Sequence, residues 1–316
     1  MVDTHILGTN VSVEDGALKA GLLSLTQMVD LTSFQNMEFI RAASLKNSTV
    51  LDVHREFQKI YPGGIFNSSE GGMVPDSSDN VFEKYIHLTK KRASYKITDE
   101  SKIRRDITTQ IKNAIVRITE SFAQQRDDDI LANIVKGYGV TTNASAKWDT
   151  GGCDPLGDIG TLFDTLFDKD DVSVKENDIG NMVIFYPLKL YSKIRDPVRL
   201  TTASGQVASN IRVNSTDLEW SGNEYGVTWV GSTKLNYLGN VYAVIPTQDK
   251  TLDHYTYNGP EIKGVESDRD IYAGTDTVVY SRYFGSMIVP ESETQKDSNY
   301  RIMRIATVCD PSTVTL

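Results

Sequence analysis

Cysteine is nearly absent from this chain. Two in 316 residues, Cys153 and Cys309, build no disulfide framework and show no zinc spacing. Reduced thiols in a cytoplasm are the expectation. Histidine is scarce as well. His5, His54, His87 and His254 contain no pair at helical metal spacing and no His-Glu-x-x-His. No apolar run is long enough to span a bilayer, so no membrane partner is expected. The segment MVDTHILGTNVSVEDGALKAG has no basic stretch leading into an apolar one, so it does not read as a secretory signal. Gly137-Tyr138-Gly139 lacks the third glycine of a dinucleotide loop and follows a helical pattern instead of a strand. Neither a phosphate-binding Gly-rich loop nor a Gly-x-Ser-x-Gly elbow occurs. Positive charge is in deficit, with 33 Lys and Arg against 42 Asp and Glu and a net charge of -9. That balance excludes a protein that grips nucleic acid by neutralising phosphates. The acidic runs Asp127-Asp128-Asp129, Asp168–Asp171 and Glu266–Asp270 read as solvated faces, because consecutive carboxylates do not converge on one ion. No cofactor, metal or catalytic residue is therefore expected.

What is present begins with one long helical pattern. Ile103, Ile107, Ile111, Ile115, Ile118, Phe122, Ile130, Leu131 and Ile134 keep helical spacing from about Thr98 to Lys136. Thr98 is placed to cap it, Asp99 and Glu100 favour its positive end, and Gly137 stops it. Unbroken, it would span roughly 50–60 Å. Fifteen tyrosines suit strands and half-wet contacts.

Around this helix the chain divides into five intervals. Residues 1–50 read as an arm with two short amphipathic helices, one capped by Asp15 and carrying Leu18, Leu22 and Leu23. The other is capped by Ser33 and carries Phe34, Met37 and Ile40. Residues 51–97 read as a long hairpin with limbs near 51–61 and 81–97 and a Gly/Ser/Pro-rich tip. Charge on both faces of the second limb excludes a core strand, and a lone ribbon needs a surface to rest on. After the helix, Asp154-Pro155 is a cap and first-turn proline opening a helix with Leu156, Ile159, Leu162, Phe163, Leu166 and Phe167 on one face. Met182–Tyr186 is a buried strand, and Pro187 opens a short helix ended by Asp196-Pro197. Strands are expected at 210–213, 225–230, 240–245, 277–283, 287–289 and 300–308.

In this order the elements resemble the major capsid protein of tailed viruses, the Hong Kong-97-type capsid fold, an α+β class. The residues that carry the likeness are Ile130-Leu131, Trp148, Asp154-Pro155-Leu156-Gly157-Asp158-Ile159, Met182 to Pro187 with Leu190 and Tyr191, and Asn240 to Pro246. The likeness covers roughly residues 50 to 316. It implies an N-terminal arm (1–50), an extended loop that overlaps a neighbour (51–97), and a peripheral domain with a spine helix (98–150). It further implies a mixed axial domain (151–285) and a return to the peripheral domain (286–316). The short arm carries no sign of a scaffolding segment that is cut away, so scaffolding is expected as a separate protein. Lys84, Lys90 and Lys91 occupy the region where some members cross-link covalently, but ordinary solvated lysines are expected here.

The function implied is self-assembly as hexamers and pentamers into an icosahedral virion shell, built in the host cytoplasm around double-stranded DNA held without sequence-specific binding. An acidic wall suits contents to which it must not adhere. Portal, scaffolding and decoration proteins are the implied partners. An encapsulin-type nanocompartment is the alternative with the same fold. An intracellular hydrolase using Asp164 and Asp168, one helical turn apart, is the alternative from another class. As contact candidates between subunits, Lys84, Lys90, Lys91 and Arg92 of the hairpin are set against Asp127, Asp128 and Asp129 of a neighbour.

Overall fold

A computed structural model describes residues 37–60, 79–100, 107–150, 153–169, 174, 176–194, 211–213, 219–222, 227–247, 250–259, 265–270, 272–290 and 296–311. Asp15, Leu18, Leu22, Leu23, Ser33 and Phe34 of the expected arm helices, the hairpin tip and Asp196-Pro197 lie outside these.

In chain order the elements are β1 (Ser44–Ser48), β2 (Asp52–Ile60), β3 (Asp79–His87), β4 (Thr89–Thr98), the spine helix α1 (Ile107–Lys136) and β5 (Tyr138–Asn143). Next come α2 (Pro155–Phe167), α3 (Glu176–Ile179), β6 (Val183–Pro187) and α4 (Tyr191–Ile194), then β7 (Ile211–Val213), β8 (Glu219–Gly222) and β9 (Val227–Ser232). The chain continues with β10 (Val241–Val244), β11 (Leu252–Tyr257), β12 (Val265–Asp270), β13 (Thr275–Ile288) and β14 (Asn299–Ala306). This is a mixed α+β molecule with few helices and several sheets.

A seven-stranded sheet runs β5-β14-β10-β6-β9-β8-β7. Its centre is covered on both faces, which is why its strands read as unbroken apolar runs instead of alternating ones. Ile184 and Tyr186 of β6, Val241 and Ala243 of β10, and Met303 and Ile305 of β14 face the α2 side. There they meet Ile159, Leu162, Phe163 and Leu166. Val183, Phe185, Tyr242, Val244 and Ile302 point the other way, toward Ala123, Ile130 and Ile134 of α1. The expected cap of α2 is in place: Gly157 N–H donates to Asp154 Oδ1 at 3.0 Å, with Pro155 in the first turn. Phe167, expected on the apolar face, is exposed.

A five-stranded sheet holds β1, β11, β13 and β12 in order, with β4 also paired to β13. Here the structure departs from the hairpin reading. The second limb divides at Leu88. β3 pairs with β2 in a two-stranded ribbon, whereas β4 pairs antiparallel with β13 from Thr89↔Phe284 to Thr98↔Thr275. Thr98 ends β4, and a helical stretch begins directly after it at Asp99 and Glu100, where the expected helix starts. The end of the arm is also built into the body. Phe39 is fully buried against Phe185, and β1 lies parallel to β11. The pieces expected at 277–283 and 287–289 form one strand, β13. Strands β1, β5, β8, β11 and β12 were not anticipated.

Gly239 turns the chain into β10 at φ +65, and its carbonyl accepts from Val308 N–H (3.0 Å) and Cys309 N–H (3.2 Å). A Cβ there would press on the Cys309 carbonyl oxygen. Gly239→Ala is expected to cost about 1–2 kcal/mol for the left-handed conformation, with the clash in addition. A thermal melt of the unassembled chain checks this, and an unchanged midpoint would refute it.

Candidate functional site

Two features frame the site: the ribbon β2–β3 and the face of the spine between Phe122 and Ile134. The ribbon is anchored at its base. Val53 and Leu88 pack with Tyr255, Tyr257 and Met287, Leu88 N–H donates to Leu51 O at 2.8 Å, and Arg55 pairs with Asp253. Asp253 is fully buried and also takes Lys46 at 3.2 Å. Farther out, His54 stacks on Tyr85 with ring centroids 4.4 Å apart. Tyr85 OH donates to Glu83 Oε2 at 2.6 Å, and this bond chiefly holds the Glu83 carboxyl below its usual range. Ligand atoms of His54, Glu56 and Glu83 lie within 4.8 Å of one another on this exposed face. Register places Glu56 directly opposite Glu83, and the His54 and Tyr85 bonds offset their repulsion.

The basic candidates are dispersed. Lys84 reaches the Lys296 carbonyl and, at 3.2 Å, Asp297 of its own chain. Lys90 stands over the Tyr283 ring at 5.6 Å and is exposed, as is Arg92. Half-buried Lys91 acts electrostatically on Asp129 of the same chain.

The acidic triplet is not the solvated face expected of it. Between Phe122 and Ile130 polar residues continue the buried stripe of α1. Arg126 and Asp127 are buried there. Asp127 Oδ1 accepts from Phe39 N–H at 2.7 Å, and Oδ2 from Lys234 Nζ at 2.9 Å. Asp129 accepts from Ser286 Oγ at 2.6 Å. Burial pushes both carboxyls above the ordinary range, against these donors. Asp128 alone of the three presents an exposed side chain, paired to Lys234 at 2.9 Å. Burial acts to lower the Lys234 pKa, but Asp127 and Asp128 together outweigh it and raise it.

Sequence reasoning missed His254 and Ser286. His254 Nδ1 sits 2.8 Å from Ser286 Oγ, which itself donates to Asp129. Burial, then the Arg126 charge, holds the imidazole pKa down to about 3. No local motif marks this array, which joins β11, β13 and α1. Asp164 and Asp168, the hydrolase candidates, are both exposed on or just after α2.

The phage capsid protein family matches residues 83–294. The chain belongs to this family. The match takes in the latter part of β3, then β4, the spine and most of both large sheets. Solved structures share the fold of this phage capsid protein at low identity. The capsid of a native GTA particle has a TM-score of 0.58 and 12% identity, over 85% of this chain and 90% of that one. A virus-like particle from Pyrococcus furiosus has a TM-score of 0.54 and 11% identity, over 93% of this chain and 100% of that one. A Microbacterium phage Oxtober96 chain has 0.54 and 12%, over 85% and 90%. No curated protein matches. The fold is the Hong Kong-97 type, and the capsid protein is a structural component of a virion. Among its described residues no helix is long and apolar enough to cross a membrane.

Proposed function

We propose that this capsid protein assembles as hexamers and pentamers into a closed icosahedral shell around double-stranded DNA in the host cytoplasm. Portal, scaffolding and decoration proteins complete the particle. One observation carries the reading. β2 and β3 form a sheet of their own, laddered to no third strand among the described residues. Tyr85 is strongly exposed on it. A two-stranded ribbon is marginal in water, and a neighbouring copy supplies the surface it lacks.

In this reading the ribbon within 51–97 overlaps an adjoining subunit. Residues 98–150 and 286–316 form the peripheral part and 151–285 the axial part. Of the charged contact candidates, Lys90, Arg92 and Asp128 are the exposed ones offered to a neighbour. Each such pair contributes about 0–1 kcal/mol, enough to bias register more than strength.

Negative-stain microscopy of the purified chain tests this. Closed shells are the expected result, and nucleic acid inside them separates a virus shell from a protein-filled compartment. Folded particles of monomer size at every concentration would refute the proposal.

A further inference from the structure

We propose that the exposed face of the ribbon is a metal site, in which His54, Glu56 and Glu83 bind a divalent cation of the zinc class across the two strands. Their ligand atoms lie within 4.8 Å of one another. No sequence motif marks such a site. His54 and Glu56 stand two apart on β2, and Glu83 joins them only through the pairing register, which sets it opposite Glu56. The alternation of side chains along paired strands then puts all three on the same side of the ribbon.

The spacing suits zinc. His54 Nε2 lies 3.3 Å from Glu83 Oε2. Zn–N and Zn–O bonds at a tetrahedral angle set ligand atoms about 3.3–3.5 Å apart. Glu56 is exposed, and rotation of its long side chain brings a second carboxylate to the same ion. The imidazole is already oriented, stacked on Tyr85 with ring centroids 4.4 Å and planes 12° apart. Tyr85 OH donates to Glu83 Oε2 at 2.6 Å, the kind of outer hydrogen bond that orients a ligating carboxylate. The same bond keeps the Glu83 carboxyl below its usual pKa range and so in the anionic form a metal needs.

Charge points the same way. Two carboxylates directly opposite each other are unfavourable by themselves. Of the nearby cations, Lys84 is engaged at the Lys296 carbonyl and Asp297, Arg55 pairs with Asp253, and Lys296 is the least of the influences on Glu83. A divalent ion balances both carboxylates at once. The imidazole in the donor set selects zinc over magnesium or calcium, which prefer oxygen ligands. His87 and Asp52, on the same face, are joined to each other at 2.5 Å and stand outside the trio. Three protein ligands leave a fourth position for water. The ribbon is laddered to no third strand among the described residues, so an ion held only by the paired strands stabilises their pairing.

Isothermal titration of the full chain with zinc chloride tests the site, with magnesium chloride as the comparison. One zinc ion per chain is the expected result, with no equivalent binding of magnesium. His54→Gln, Glu56→Gln and Glu83→Gln are each expected to weaken binding at least about tenfold, and His87→Gln to leave it unchanged. All four alter exposed side chains. Circular dichroism establishes that each variant folds, and if one does not, the remaining ligand variants decide. Hydrogen exchange locates the ion. At a zinc concentration a hundred times the dissociation constant, amides of β2 and β3 are expected to exchange up to about a hundredfold more slowly in the wild type, and much less so in Glu83→Gln. A wild type that binds no zinc overturns the inference, as does binding that any of the three ligand substitutions leaves unchanged. Loss with His87→Gln, magnesium binding of equal strength, or protection confined to other strands overturns it too. None of these outcomes bears on the assembly reading, which microscopy decides separately.

Discussion

Trp148→Ala is expected to destabilise the unassembled chain by about 3–5 kcal/mol, a large share of what holds any such domain together. Trp148 is 1% exposed and fills the space between the α2 face and the seven-stranded sheet, with its ring 6.2 Å from Trp229. Its indole Nε1–H donates to Asp158 Oδ2 at 2.7 Å, and its backbone N–H to Val308 O at 2.7 Å. The second Asp158 oxygen accepts from Ser145 N–H at 2.8 Å. One buried carboxylate therefore fastens the loop after β5 to the first turn of α2. Truncation leaves a cavity and strips that carboxylate of a donor. Trp148→Phe separates the two effects. It keeps most of the ring and is expected to cost about 1–3 kcal/mol, mainly through the abandoned oxygen. Urea denaturation at neutral pH measures both, and a loss below about 1 kcal/mol for the alanine variant would contradict this account.

The second large effect is a loss of stability in acid that His254 governs. Its folded pKa of about 3 lies below the ordinary 6.5, because burial penalises the imidazolium and Arg126 repels it. Between those values the unfolded chain binds the extra proton. Stability is therefore full above about pH 6.5 and drains as pH falls toward 3, by as much as about 4–5 kcal/mol from this group. Asp127 and Asp129 act in the opposite sense. Their carboxyl pKa values are raised by burial, so the folded state holds their protons more tightly and acid favours it slightly. Denaturation midpoints from about pH 7 to pH 4 should fall steeply in the wild type and much less in His254→Gln. Equal slopes would remove His254 from the explanation.

Local chemistry was legible in the sequence. The Asp154 cap, the α2 face, the stop after Lys136 and the apolar run of β6 each depend on neighbours a few residues away, and each is where the residues place it. Long-range pairing was not legible. Nothing at His87-Leu88-Thr89 resembles a turn, so the transfer of the chain from the ribbon to the β13 ladder leaves no local mark. β11 escaped notice because Asp253 and His254 interrupt its apolar pattern, and the groups that make them tolerable, Arg55 and Ser286, are far away in sequence. Gly285-Ser286 looked like a break in β13. Instead the strand runs through, and the missing Cβ at Gly285 leaves room for Ile86 at the ribbon base. The acidic triplet misled for the same reason. Partners on β13 and beyond β9, not the helix itself, decide which aspartates turn inward.

β14 lies between β5 and β10, parallel to the first and antiparallel to the second. The central sheet is thus missing an interior member until residues 299–306 leave the ribosome. The ribbon base depends on late residues too, since Val53 and Leu88 pack with Tyr255, Tyr257 and Met287, so the parts that hold spine and ribbon in place come together only near the end of translation. A chain cut short before residue 299 therefore lacks the strand that joins β5 to β10.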